Sequence, residues 1–447
     1  MPDVAGKRVL LLGTGREIVS FARAVVEVAA AVVAVDGRDG DSARAWREEW
    51  GERIPLVIAE RTEGFAGEVD VAVSSPGIPP HSPLRADLLA LGIPVTMPTD
   101  LWLRANAERT TAVTGSKGKS TTTSLIHALL RAHGVDASLG GNIGIGVWSL
   151  PQAERFAVEL SSQQASTVSR SPDVAVLTAL FPEHLDWHGG LDEYYADKLN
   201  LVAHGARRVV VNGSDPVLVR ELAVRHPEIA ADSVGAPGDR WRVEGGAVLR
   251  DGAVVVPPGA SPLRGDHNLL NLALALAAVE ASGVAVDPAA VAVALADFAP
   301  LEHRLEEIPE GALTFVDDSL STAPQAVVRA LDAYAGRPVV LLLGGHDRGV
   351  DYSPLAERLA ADPPVALVGL PGSGADVLAR VAPAGIPAET AEDMTDAVRR
   401  ARAHLPEGGV VLLSPAAPSY GIYADYRERA ADFRRAVAAT AADKLDG

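Results

Sequence analysis

The chain has 447 residues, 48% of them hydrophobic, with 40 basic and 58 acidic side chains and a net charge of -18. That length and apolar content supply core for two or three domains. The negative balance disfavours nonspecific attraction to nucleic acid or anionic lipid, so an anionic ligand must be held by locally placed cations and backbone N–H groups. No cysteine is present, which excludes disulfides and thiolate metal sites. No apolar stretch reaches membrane-spanning length, and no basic segment leads into a long apolar run near the start, so a cytoplasmic protein without a membrane partner is expected.

In chain order, β-rich runs alternate with helical ones, the pattern of parallel α/β layers. The first block, RVLLLGTGREIVSFARAVVEVAAAVVAVDGRDG, reads as strand, glycine turn, helix and second strand, with Asp36 at its end. A further strand precedes SSPGIPP, and the block closes near 106–109. The second block opens at Thr111 with TAVTGSKGKSTTTSLIHALL and continues through strand-like segments around Val158 and from Val174 to Leu177. DEYYADKLNLVAHG then looks helical, and the Gly- and Pro-rich region from Gly213 to Pro262 reads as a β-insertion or meander. A third block begins near Leu301, with strands expected at Leu313 to Val316, Pro338 to Leu343, Val365 to Val368 and Val410 to Leu413.

The chemistry concentrates in a few stretches. In TGSKGKST, Gly115 and Gly118 let backbone N–H groups converge, Lys119 can reach terminal phosphates and Ser120 can ligate magnesium. A helix opening there adds the positive end of its dipole. The general pattern wants a glycine where Val113 stands, so a turn that merely ends a strand stays open at this point. GTGREIVSF carries less: Gly13 and Gly15 match the start of a dinucleotide fingerprint, but Val19 replaces its third glycine. Asp36 is placed to meet a ribose or a base, and Arg38 to neutralise a phosphate. Glu159 ends a buried strand, where an acid needs a partner or an ion. His184 in a loop and Lys198 on a helix are unremarkable singly; after a phosphate cradle, the three together read as a magnesium–nucleotide site.

These motifs resemble the Mur ligases of peptidoglycan precursor synthesis. TGSKGKST, GGNIG, ELSSQQ, PEHLDWHG, YYADKL, GDHNLLNLALAL, PLEHRLE, DDSLSTAP, LLLGGHDRG and LLSPAAPSYGIYADYRERAADF follow the family's order over essentially the whole chain. Within the family the likeness is to the branch that adds glutamate to UDP-N-acetylmuramoyl-L-alanine. The resemblance implies three α/β domains: a Rossmann-like UDP-binding domain over 1–108, a P-loop ATPase domain over 109–300 and a Rossmann-like C-terminal domain over 301–447. The last would close over ATP and shield an acyl phosphate from water. It implies Lys119, Glu159, His184 and Lys198 as catalytic residues, with Ser120, Glu159, His184 and a carbamylated Lys198 serving two magnesium ions. ATP would be met by Gly115, Ser116, Lys117, Gly118, Lys119, Ser120, Thr121, Asn268, Asn271, Arg304 and Asp318. The UDP-sugar would face Thr14, Gly15, Asp36, Arg38, Ser75, Pro76, Gly77, Asn142, Ser161 and Gln164. Glutamate would meet Thr322, Arg348, Ser419, Tyr420 and Tyr426.

The departures from the family pattern fall where the amino acid would sit. Members that use D-glutamate typically read DSKATN where this chain has DSLSTAP, so Leu320 replaces a lysine. A cation there would help to hold a substrate carboxylate. Arg348 likewise stands in a lysine's place and offers a planar fork rather than a point charge. These changes point to L-glutamate, with a separate epimerase making the D form, and to a monomeric enzyme; ordinary D-glutamate addition is the alternative. An inactive nucleotide-binding relative is a remoter one, and an oxidoreductase reading rests on GTGREI alone. The DNPR motif of the diaminopimelate-adding branch is absent, and folylpolyglutamate synthases normally lack a separate UDP-binding domain.

Overall fold

A computed structural model describes residues 3–442 apart from 66, 264, 299–302, 304 and 347–349. Two of the residues expected in the site, Arg304 and Arg348, therefore lie outside the described residues. The chain divides into two compact units, residues 1–261 with 268–298, and residues 262–267 with 299–447.

The first unit holds two sheets. Strands β1 (Arg8–Leu12), β2 (Ala31–Asp36), β3 (Leu56–Ile58), β4 (Val71–Ser74) and β5 (Val95–Thr96) form a parallel sheet in the order β3-β2-β1-β4-β5. RVLLL and VAVS are almost wholly buried because helices cover both faces, as parallel crossovers require. The chain runs outward from β1 to β3 and then returns to β4, so the order reverses between β1 and β4. A crevice outside the carboxyl ends of neighbouring strands at such a reversal is where α/β sheets bind ligands. The turn Gly13–Gly15 follows β1 and the loop Ser75–Gly77 follows β4, at that crevice.

The second sheet has nine strands: β6 (Thr110–Thr114), β7 (Ala137–Gly141), β8 (Arg155–Glu159), β9 (Val174–Leu177), β10 (Arg208–Asn212), β11 (Ala231–Val234), β12 (Trp241–Glu244), β13 (Ala247–Arg250) and β14 (Ala253–Val256). Their order is β14-β13-β12-β11-β10-β9-β6-β8-β7. It is parallel from β7 to β12 and ends in the antiparallel meander β12–β14. The meander matches the β-insertion expected before Pro262, but the same region also contains the helix Pro216–Arg225 and the parallel strand β11. Trp102, Phe156, Tyr194, Val158 of β8, Leu177 of β9, and Val209 and Val211 of β10 pack one core of this sheet. Trp148 joins the two sheets: its ring meets Phe21 edge-on at 5.2 Å, and its indole N–H donates to Pro98 O at 2.7 Å.

The second unit contains β15 (Glu306–Glu310), β16 (Leu313–Asp317), β17 (Val339–Leu343), β18 (Ala366–Gly369), β19 (Ala388–Thr390) and β20 (Gly409–Leu413), ordered β15-β16-β20-β17-β18-β19. β15 is antiparallel and the rest parallel. The four inner strands correspond to the four expected from sequence. The two edge strands, EEIPE and AET, were not expected: they carry no apolar run, and Pro309 is tolerable only at an edge.

Candidate active site

The loops that follow β6, β8 and β9 meet at the carboxyl end of the second sheet, and their backbone geometry shows how closely they are packed. Gly118 has φ +89°, and a Cβ there would lie 2.6 Å from Asn271 Oδ1. At Gly115, φ +149°, a Cβ would lie 2.0 Å from Thr178 Oγ1. Only glycine fits either position without strain, and the two turns bring the loop backbone to the start of the helix Lys119–Ala132, with Ser116 N held by Ala179 O at 2.7 Å. Asn271 and Asn268 sit on the helix Asp266–Ala281, joined by an Asn271 Nδ2 to Asn268 Oδ1 bond of 3.2 Å, so the asparagines expected at ATP back onto the phosphate loop.

Two other residues of the loop turn into the protein. Ser116 Oγ accepts from Phe181 N at 3.0 Å and lies 2.8 Å from Tyr194 Oη, while Lys117 pairs with Glu183 at 2.9 Å. Lys119 Nζ donates to Gly115 O at 2.9 Å and to Ser116 O at 3.1 Å. Lys198 Nζ reaches the same Gly115 O at 2.9 Å. Ser120 and Thr121 occupy the first turn of the helix.

The electrostatics are unusual. Burial, together with the charge of Lys119, pushes the Lys198 ammonium well below the ordinary lysine range. Burial works against the Glu183 carboxylate, but Lys117, Lys119 and Lys198 outweigh it and bring it down to about 2. Glu159 uses Oε1 to accept from Asn142 Nδ2 at 2.7 Å, whereas its Oε2 is buried with no hydrogen-bond partner. A bare carboxylate oxygen in a buried position calls for an ion or a proton.

A cavity of about 320 Å³ opens onto these groups. Lys119, Lys198, Asn142, Ser161 and His184 line it, with Pro76 and Gly77 arriving from the loop after β4 of the first sheet. Ser162, Gln163 and Glu183 complete the wall. His184 takes φ +54° to start the short helix Leu185–His188. Of the other residues expected at the UDP-sugar, Thr14 Oγ1 donates to Asp36 Oδ2 at 2.7 Å and Arg38 N donates to Asp36 Oδ1 at 3.1 Å. Gly15 and Ser75 lie at the β1–β4 crevice, whereas Asp36, at the end of β2, and Arg38 after it lie on the other side of β1 and connect to the glycine turn through Thr14. A Cβ on Gly13 would meet Ser75 Cβ at 3.0 Å, so the two loops are already in contact. Gln164 does not line the cavity: it is 1% exposed, closes a capping box with Ser161 and spends its amide on Glu17 and Thr99.

In the second unit the loops after β16, β17 and β20 are laced together. Ser414 Oγ donates to Asp318 Oδ2 at 2.7 Å, Ala416 N to Ser321 O at 3.0 Å and His346 N to Pro418 O at 2.8 Å. Arg429, 1% exposed, pins two of these loops by donating to Ala417 O at 3.0 Å and Ser319 O at 2.8 Å. Thr322 lies in the first loop, with its N–H donating to Leu320 O at 3.1 Å. Ser419 is buried, Tyr420 is 62% exposed, and Tyr426 meets the His303 ring at 5.7 Å. His303, Glu306 and Asp317 also cluster there, but Arg434 lies 2.6 Å from Glu306 and already supplies the cation.

Sequence reasoning passed over several residues of this site. Glu183 stands beside His184 in PEHLDWHG yet was not singled out, although it carries the counter-charge for three lysines. His188 is held with Nδ1 2.6 Å from Asp197 Oδ2 and Nε2 2.9 Å from Ser162 Oγ, which locks three short helices together around the cavity wall. The available signal was a buried-type histidine within nine residues of an acid on an adjoining helix, too common a pattern to stand out.

Comparison with known proteins agrees with this architecture. A family model described as the Mur ligase middle domain matches residues 113–279, and one described as the Mur ligase glutamate ligase domain matches 303–417. Among curated relatives, the UDP-N-acetylmuramoyl-L-alanine–L-glutamate ligase of Micromonospora sp. is 46% identical over 99% of this chain and 98% of its own. Those of Salinispora tropica, 45% identical over 99% of both chains, and Xanthomonas axonopodis pv. citri, 38% identical over 96% of this chain and 95% of its own, bear the same name. Among solved structures, MurF ligase from Thermotoga maritima in complex with ADP superposes with a TM-score of 0.63 at 18% identity, covering 98% of this chain and 97% of that one. UDP-N-acetylmuramate–alanine ligase MurC from the same organism gives 0.61 at 17%, covering 98% and 100%. Matched almost from end to end by relatives at 45% and 46% identity, the chain belongs to the Mur ligase family.

Proposed function

We propose that the protein is an ATP-dependent amide-forming ligase that joins L-glutamate to the alanyl carboxyl of UDP-N-acetylmuramoyl-L-alanine in peptidoglycan precursor synthesis. The observation that carries this reading is the single cavity in which Lys119 and Lys198 of the nucleotide side meet Asn142, Ser161 and the β4 loop residues Pro76 and Gly77. The alanyl carboxylate attacks the γ-phosphorus of ATP, forming a C–O–P bond as ADP departs with the broken P–O pair. The glutamate amine then attacks the activated carbonyl, phosphate leaves with the electron pair, and the nitrogen gives up its proton to the departing phosphate or solvent. Phosphoryl transfer of this kind depends on positioning and charge neutralisation, which Lys119 provides at the terminal phosphate.

Magnesium fits the donors present. Glu159 offers a buried oxygen without a partner, and Ser120 and His184 offer a hydroxyl and an imidazole. Held by these residues, the ion would supply positive charge against the phosphate groups during transfer. Carbamylation of Lys198 fits as well. Three lysines, Lys117, Lys119 and Lys198, face two acids, Glu159 and Glu183. As an ammonium, Lys198 leaves an excess of positive charge where a dication must bind. As a neutral amine, the form that its burial favours, it can add to CO₂, losing a proton to become an anionic ligand.

The L form of glutamate is supported by Leu320 in the place of a family lysine and by the names of the curated relatives. With L-glutamate as substrate, a separate epimerase must act on the product to give the D form. The enzyme is read as a cytoplasmic monomer; no described helix is long and apolar enough to cross a membrane. The test is phosphate release and product mass with UDP-N-acetylmuramoyl-L-alanine, ATP and magnesium, with L- and D-glutamate supplied separately. Turnover with the L form alone is expected. Turnover with the D form alone would overturn the stereochemical reading, and no amino-acid-dependent turnover would overturn the ligase reading.

A further inference from the structure

Glu17 is an acid for which the ligation chemistry has no use. It lies in the first turn of the helix Arg16–Val25, directly after the Gly13–Gly15 turn of the first sheet. The residue is half-buried, with its carboxyl turned to side chains of the second-sheet region and the connecting helix. Oε1 accepts from Gln164 Nε2, and Oε2 accepts from Thr99 Oγ1 at 3.4 Å. Both neighbours are enclosed, Gln164 at 1% exposure and Thr99 at 0%.

The orientation of Gln164 is forced. Its Oε1 accepts from Ser161 N at 2.7 Å, so that atom must be the oxygen and the amide nitrogen must point at Glu17. Gln164 N in turn donates to Ser161 Oγ at 3.2 Å. The neighbouring residue, Arg16, reaches the opposite wall of the cavity, donating to Asn142 O at 3.2 Å and Gly144 O at 3.0 Å. Asn142 then holds Glu159. Two consecutive residues of one helix thus fix both the Asn142 turn and the Ser161 turn, and that helix starts at the glycine turn of the β1–β4 crevice.

We propose that Glu17 is a positioning residue for the ligation cavity, holding the Ser161 turn in register through Gln164 and coupling it to the glycine turn of the first sheet. The coupling to catalysis rests on the ligase reading above; the structural latch does not. Without the carboxylate, Gln164 Nε2 keeps only Thr99 Oγ1 at 3.3 Å, too long and too weak to satisfy a buried amide. Burial also pushes the carboxyl up to about 7, against the pull of Gln164, Arg16 and Thr99. Among the described residues, Arg16 on its own helix is the charged group bearing on it, whereas Gln164 and Thr99 from the two facing elements are neutral. Protonation therefore converts an acceptor from Thr99 into a donor to it and leaves the Gln164 contact in place.

The test compares Glu17→Ala and Glu17→Gln in the full chain. Hydrogen exchange without substrate comes first. In E17A the amides of Ser161 and Gln164 should exchange about tenfold faster, the loss of one well-made buried hydrogen bond, while those of β6 stay as in the wild type. In kinetics, E17A should lower kcat/KM for the UDP-sugar about tenfold with KM for ATP unchanged, and E17Q, which keeps an acceptor for Gln164 Nε2, should retain activity and wild-type exchange at Ser161 and Gln164. Unchanged exchange at Ser161 and Gln164, or equal acceleration in β6, overturns the latch. Faster exchange with kinetics like the wild type overturns the coupling. Absence of turnover by the wild type itself sinks the ligase reading alone, because the exchange result still decides the latch.

Discussion

Glu183→Gln gives a quantitative test of the charge arrangement around the phosphate loop. The carboxyl falls from 4.5 to about 2 in the folded protein, overcoming its own burial chiefly because Lys117 and Lys119 lie near it, with Lys198 adding least and only while it is an unmodified ammonium. At roughly 1.4 kcal/mol per unit this is worth about 3 kcal/mol of stability. Its side chain is only 17% exposed, so solvent removes little of that. The sign follows from linkage: an acid with a depressed value stabilises the fold above its ordinary range and loses that contribution as pH falls through the depressed value. The glutamine variant should therefore be less stable than the wild type by about 3 kcal/mol at pH 7.5, with the gap narrowing to about 2 kcal/mol near pH 3.5. Urea unfolding followed by tryptophan emission is a suitable assay, because the six tryptophans all lie within residues 1–261 and report on the unit that contains Glu183. A gap that is absent at pH 7.5, or that does not change with pH, would refute the claim that Glu183 is the counter-charge for these lysines.

Gly118→Ala should raise the Kd for ATP at least about tenfold without loss of secondary structure by circular dichroism. The added Cβ must displace Asn271 Oδ1 from 2.6 Å, and φ +89° costs about 1 kcal/mol in a residue with a side chain. Lys198 should carry one added CO₂ by intact mass at pH 8 in bicarbonate and lose it on acidification. Lys198→Arg, whose guanidinium cannot form a carbamate, should cut turnover about a hundredfold, and wild-type activity in a variant without the adduct would exclude the modified lysine. Arg429→Lys loses the planar fork that pins Ala417 O and Ser319 O together. KM for glutamate should rise about tenfold with KM for ATP little changed; equal increases in both would point to general loosening of the second unit.

The parallel strands were legible in the sequence because strands buried on both faces, such as VVLLL in β17 and GVVLL in β20, can be written only with continuous apolar runs. The glycine turn after β6 was legible because positive φ at Gly115 and Gly118 restricts both positions to glycine locally, although their close approach to Thr178 and Asn271 is a product of the fold. The edge strand EEIPE was not, since pairing along a single side imposes no pattern on its side chains. Glu183 and Glu17 were missed for a different reason. Their roles arise from lysines 15 and 66 positions away and from an amide 147 positions away, contacts created by the fold and invisible to local spacing. Gln164 shows the converse, since its motif singled it out while its amide is committed to Glu17 and Ser161 rather than to the cavity.

The division of the chain into units has one more implication, for recombination. Residues 262–267 belong with the second unit, so the boundary falls inside the helix Asp266–Ala281, between His267 and Asn268. His267 is held near 4 by burial and by the charge of Arg329, and Gly265 lies against Ala333, both partners being in the second unit. A chimaera joined to a relative at a single point near residue 300 would therefore keep the recipient's 262–267 and receive foreign partners at 329 and 333. The second unit is not a cassette that one crossover can exchange. Its natural replacement requires the short 262–267 segment to travel with it, and variation in that segment should track the second unit rather than the helix that contains it.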